Sequence, residues 1–84
     1  MTLSTFRLLS PRAQLLVVMT EGIYLAHRWG ENKRVLNLYY LPSRGPGFFS
    51  EIGFNDSQDC LVVLRSFVSS GPLEDYAQGV RLPD

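Results

Sequence analysis

Ile23-Tyr24-Leu25-Ala26-His27-Arg28-Trp29 is followed by Gly30-Glu31-Asn32-Lys33 and then by Arg34-Val35-Leu36-Asn37-Leu38-Tyr39-Tyr40-Leu41. Two runs rich in aromatic and aliphatic residues flank a short polar segment. Such runs favour strands, and Gly and Asn accept the backbone angles of a tight turn. The stretch therefore reads as a β-hairpin, with strands over residues 23–29 and 34–41. Simple alternation places Ile23, Leu25, His27 and Trp29 on one face and Tyr24, Ala26 and Arg28 on the other. In the second strand it separates Leu36, Leu38 and Tyr40 from Val35, Asn37 and Tyr39.

Upstream, residues 1–9 form a lead-in with Leu3, Phe6, Leu8 and Leu9 available for packing. Ser10-Pro11 is a helix start, because Ser can accept from a free backbone N–H and Pro at the first helical position loses no hydrogen bond. The helix should run to Glu21 and stop at Gly22, a residue that tolerates positive φ. Leu15, Leu16, Met19 and Ile23 share one side and are expected to roof the sheet, while Arg12 and Gln14 face water.

Downstream, residues 42–47 have the Pro, Ser and Gly content of a loop. A third strand is expected over 48–54, with Phe48, Ser50, Ile52 and Phe54 opposite Phe49, Glu51 and Gly53. Residues 55–59 form a turn. A fourth strand over 60–68 sets Cys60, Val62, Leu64, Ser66 and Val68 opposite Leu61, Val63, Arg65 and Phe67. An amphipathic helix over 58–67 competes with it, and the β-branched residues favour the strand. Glu51 and Arg65 fall on one parity and should pair across strands. Residues 69–72 break the strand, and Pro72 can open a short helix through Ala77. The expected fold is α+β: one N-terminal helix on a four-stranded antiparallel meander, with a short C-terminal helix, in a single domain of 84 residues.

Composition narrows the functional classes. Hydrophobic residues make up 45% and charged residues 19%, the balance of a globular rather than a disordered chain. Formal net charge is zero, which argues against a dedicated nucleic-acid binder. The charge is uneven. Residues 1–46 carry six basic and two acidic side chains, and residues 47–84 carry two and six, leaving +4 and −4. The halves either neutralise each other within one molecule or form complementary patches that favour association.

One cysteine, Cys60, allows no internal disulfide, which points to a reducing compartment. It is expected to be a small core residue, with Asp59 beside it disfavouring a thiolate. The chain opens without a basic segment and apolar core of the secretory kind. Its longest apolar run, Leu15 to Met19, is far shorter than the ~20 residues that cross a bilayer. A cytoplasmic protein without membrane contact is expected. A lone His27 and a lone Cys60 supply too few ligands for a structural zinc site. His27 has no local acid or nucleophile to act with, and the glycines at 45 and 47 lack phosphate-loop spacing. No catalytic residue, metal or cofactor is expected.

The segment Leu64-Arg65-Ser66-Phe67, then Ser69-Ser70, then Pro72-Leu73-Glu74-Asp75-Tyr76-Ala77 with Leu82-Pro83 resembles the tail of a group of short uncharacterised bacterial proteins. Phe48-Phe49 followed by Glu51 is similar to the same group. The resemblance covers the last half of the chain. It implies a compact helix-plus-sheet domain and a bacterial source, and it brings no activity or site.

The candidate interaction surface comprises Tyr24, Arg28, Trp29, Arg34, Tyr39, Phe49, Arg65 and Phe67. Trp, Tyr and Arg are the residues that dominate tight protein interfaces. If the helix covers only one face, the other keeps an aromatic wall, and a chain this small rarely exposes such a patch without a partner. The leading expectation is a non-enzymatic interaction module that pairs with itself as a homodimer. A nucleic-acid accessory protein using Arg28, Trp29, Lys33 and Arg34 is the second expectation. A small enzyme or ligand-binding domain with a pocket between the helix and the 42–47 loop is the third.

Overall fold

The computed structural model describes residues 1–30, 34–43 and 45–68. The expected C-terminal helix from Pro72, most of the first turn including Lys33, and Arg44 lie outside the described residues. The architecture is α+β, with two short N-terminal helices against a four-stranded antiparallel meander of order β1-β2-β3-β4.

The first helix, α1 (Leu3–Arg7), occupies what the sequence suggested was a lead-in. Thr2 caps it, with its Oγ1 accepting from the Thr5 N–H at 3.2 Å. So short a helix depends on packing for stability. Phe6 supplies that packing: it is fully buried, with its ring centroid 5.0 Å from that of Phe48.

The second helix, α2 (Pro11–Glu21), starts and stops where the cap residues indicate. Ser10 Oγ accepts from the Ala13 N–H at 3.2 Å. At the other end Gly22 donates its N–H to the Val18 carbonyl. Its φ of −75° and ψ of 150° are extended, so glycine is not there for positive φ. It is there for space. A Cβ at this position would lie 2.5 Å from the Val18 carbonyl oxygen and 3.2 Å from the Tyr39 ring. The chain passes directly from α2 into the sheet.

The sheet comprises β1 (Ile23–Trp29), β2 (Val35–Leu41), β3 (Phe48–Asn55) and β4 (Cys60–Phe67). The helical alternative for the last of these is excluded. The β3–β4 turn is held by Asn55, whose Oδ1 accepts from the Ser57 and Gln58 N–H groups, and Asp59 takes a positive φ of 54°.

Two bulges break the expected alternation. One falls between Tyr24 and Ala26, so Tyr24 pairs with Tyr39 and His27 with Asn37. Tyr24 thus shares a face with His27 and Trp29, contrary to simple parity. The other offsets β4, so that Glu51 pairs with Arg65 but Ile52 with Val63. It puts Ser66 on the face of Val63. A bulge adds one residue to one strand, and every side chain beyond it changes face relative to a regular count.

Both helices lie on the same face. Phe6, Val18, Leu41, Phe48 and Ile52 form the main core, flanked by Leu15, Val17, Tyr39 and Val63. The expected roof of Leu15, Leu16 and Met19 is only partly present. Val18 is fully buried, while Leu16 and Met19 are 64% and 45% exposed. The Gln14 side chain, expected in water, instead donates to the Phe6 carbonyl at 3.1 Å, and α2 packs mainly on β4 and β2. The row containing Leu15 and Val18 then meets the sheet, and the row containing Leu16 and Met19 turns away. On the other face Leu38 and Phe49 are buried against Leu25, Ala26, Tyr40 and Phe67.

Candidate interaction surface

The eight surface candidates divide between the two faces. Arg28, Phe49, Arg65 and Phe67 belong to the face away from α1 and α2. Phe49 is 6% exposed, so it is a core residue and not a contact residue. Phe67 stacks on it at 5.6 Å between centroids. Beside them Glu51 is only 3% exposed and sits between two guanidinium groups. Arg28 Nη2 is 3.3 Å from Glu51 Oε2. Arg65 Nε lies 3.3 Å from Oε1, and its Nη2 donates to Oε2 at 3.3 Å. The expected cross-strand pair of Glu51 and Arg65 is present, and Arg28 extends it over β2. Removing a carboxylate from water is costly, and two cations facing it offset that cost.

Tyr24, Trp29 and Tyr39 belong to the helix-bearing face. Tyr24 meets Tyr39 edge-on at 5.8 Å, and its hydroxyl is 2.9 Å from His27 Nδ1. Arg34 precedes β2, and its Nη2 lies 2.7 Å from Asp56 Oδ1. Its guanidinium also stands 4.6 Å from the centre of the Phe54 ring. Arg28 and Arg34, two of the cations a nucleic-acid surface would use, thus both lie against acids.

The sheet register arranges the helix-bearing face in rows. His27, Asn37, Ile52 and Val63 form the middle row. Trp29, Val35, Phe54 and Leu61 stand two residues beyond it, at the end of the sheet with the β1–β2 and β3–β4 turns. The helices cover the β3–β4 side of the middle row, where Ile52 is 1% exposed. They leave the outer row open, with Trp29 at 66%, Val35 at 38% and Leu61 at 45% exposure. Tyr24 at 50%, with Leu16 and Met19 on α2, adds to the exposed apolar surface.

Sequence reasoning missed Leu16, Met19, Val35 and Leu61 as exposed residues. Each is aliphatic and sits in a regular element, and no local signal distinguishes it from a core position. Cys60, expected in the core, is exposed. It opens β4 opposite Asn55, at the end of the strand pair.

Among the described residues no group of three or more His, Cys, Asp or Glu side chains is placed to hold a metal ion. None of their helices is long and apolar enough to cross a membrane. No family model matches the chain, and neither a curated protein nor a solved structure matches it.

Proposed function

We propose that this chain is a non-enzymatic interaction module that pairs with a second copy of itself. The contact is the open outer row of the helix-bearing face. One observation carries this reading: Trp29, Val35 and Leu61 belong to one end row of the sheet and are all substantially exposed, and Tyr24, Leu16 and Met19 are exposed as well. Scattered exposed aliphatic residues are ordinary, but an exposed apolar row that includes a Trp marks a contact surface. A second copy suits it for two reasons. The formal charge of zero leaves no long-range repulsion between copies. An apolar patch on one face can also meet itself about a two-fold axis, the commonest symmetry of small assemblies.

The position of the cations supports this over the nucleic-acid reading. Arg28 and Arg34 are held by Glu51 and Asp56. A phosphate would have to compete with those carboxylates for each of them.

Light scattering coupled to size exclusion tests the proposal over a concentration series. The expected mass is that of two chains at high concentration, falling to one chain in the Trp29→Ser variant. A mass of one chain at every concentration overturns it.

A further inference from the structure

His27 is the one histidine of the chain. It is exposed, and it stands on the helix-bearing face between Tyr24 and Trp29. The bulge after Tyr24 creates this row, because a regular strand would put that ring on the opposite face. The Tyr24 hydroxyl lies 2.9 Å from His27 Nδ1. Across β2, His27 is paired with the neutral Asn37, and Tyr39 stands against the Tyr24 ring. Among the described residues no carboxylate forms an ion pair with His27. Arg28 belongs to the other face, where Glu51 holds it, and Arg34 at the approach to β2 is held by Asp56. The acid of α2, Glu21, is exposed at the end of that helix, before β1 begins.

We propose that His27 lies within the self-pairing contact and makes it depend on pH: copies join while the imidazole is neutral and part when it is protonated. This rests on the self-pairing proposed above. A contact that covers both Trp29 and Tyr24 also covers His27, which stands between them on β1. A neutral imidazole can accept the Tyr24 hydroxyl proton at Nδ1, so that nitrogen is satisfied within its own copy. An imidazolium brings a charge that pairing takes out of water, and no described carboxylate is placed to receive it. Two-fold pairing brings one His27 from each copy, so the cost enters twice. Histidine is the side chain that changes charge between about pH 5 and pH 8, and the chain has no other.

Sedimentation equilibrium gives the dissociation constant at about pH 8 and about pH 5.5, on the two sides of histidine titration. The constant of the unaltered chain is expected to rise about tenfold for each imidazolium, and so about a hundredfold for the pair. His27→Gln is expected to give one constant at both pH values, whatever its size, which separates the histidine from any effect of acid on the carboxylates. His27→Arg keeps a charge throughout and is expected to be as weak in the alkaline sample as the unaltered chain is in the acidic one. An unaltered chain that pairs equally well in both samples overturns the inference and leaves the self-pairing standing. So does a Gln variant that weakens in acid as the unaltered chain does, or an Arg variant that pairs as tightly as the unaltered chain does in the alkaline sample. A single chain at every concentration and both pH values overturns the self-pairing, and this inference with it.

Discussion

Glu51 lies nearly out of water, opposite Arg65 on one neighbouring strand and Leu38 on the other. Its carboxylate is held by Arg65 directly and by Arg28 reaching over β2. Truncation would remove the charge that both guanidinium groups face. The two arginine side chains are 27% and 39% exposed, so water offsets part of the loss. Glu51→Ala is expected to cost about 2–3 kcal/mol, below the full penalty for breaking a deeply buried pair. Urea denaturation followed by tryptophan fluorescence measures it. A midpoint equal to that of the unaltered chain would mean that the pair contributes nothing to folding. The Glu51–Arg65 pair was expected from sequence, yet it forms through the bulge before Arg65, since a regular count back from Asn55 and Cys60 would set Leu64 opposite Glu51. The role of Arg28 was not legible, since it depends on how β1 and β3 lie across β2.

At the scale of elements, α2 shows how a correctly bounded helix can still be oriented wrongly. Ser10, Pro11 and Gly22 mark its ends through local chemistry, and the structure follows them. Its apolar residues occupy two adjacent rows, Leu15 with Val18 and Leu16 with Met19, and either row could face inward. Packing against the sheet, chiefly β4 and β2, takes the first. Val18→Ala is expected to cost about 2–3 kcal/mol, as the loss of buried methyl groups in a packed core does. Leu16→Ala should change stability by less than about 0.5 kcal/mol, because its side chain is mostly in water and Ala suits a helix. Thermal denaturation of the two variants, run side by side, checks the assignment. Reversed magnitudes would place the other row against the sheet. The bulges act at the same scale. One after Tyr24 moves that ring onto the face of Trp29, and one before Arg65 keeps that side chain beside Glu51.

At the scale of the molecule, Phe6 ties the N-terminal turn to the sheet through Phe48. Its loss would remove the buried ring that holds the turn, and with it the Gln14 hold on α2, to the sheet. Phe6→Ala is expected to cost about 3–5 kcal/mol, read as a lowered urea midpoint. Trp29→Ser, at an equally large side chain, is expected to leave the midpoint of the single chain within about 0.5 kcal/mol, since two thirds of Trp29 is in water. Any stabilisation lost with Trp29 should then depend on protein concentration, as it must when a partner copy supplies it. The opposite charges of the two halves of the chain are partly joined inside one molecule. Arg34 meets Asp56, and Arg28 meets Glu51, each pair taking its cation from the first half and its acid from the second.

The sequence by itself determined where α2 and the four strands begin and end, though not that residues 3–7 form a helix. The bounds of β1 and α2, the loop before β3 and the turn at Asn55 all follow from caps, breakers and residue periodicity within a few positions. These signals are local, because a helix cap or a turn is satisfied by its own neighbours in the chain. Tertiary structure alone decided which sides of those elements meet. It buried Phe6 and Val18, left Leu16, Met19 and Cys60 in water, and brought Tyr24 to the side of Trp29. Those outcomes turn on contacts between distant segments and on bulges that insert a single residue. Neither leaves a distinctive residue type behind, so an aliphatic or aromatic side chain reads the same whether it ends in the core or on the surface.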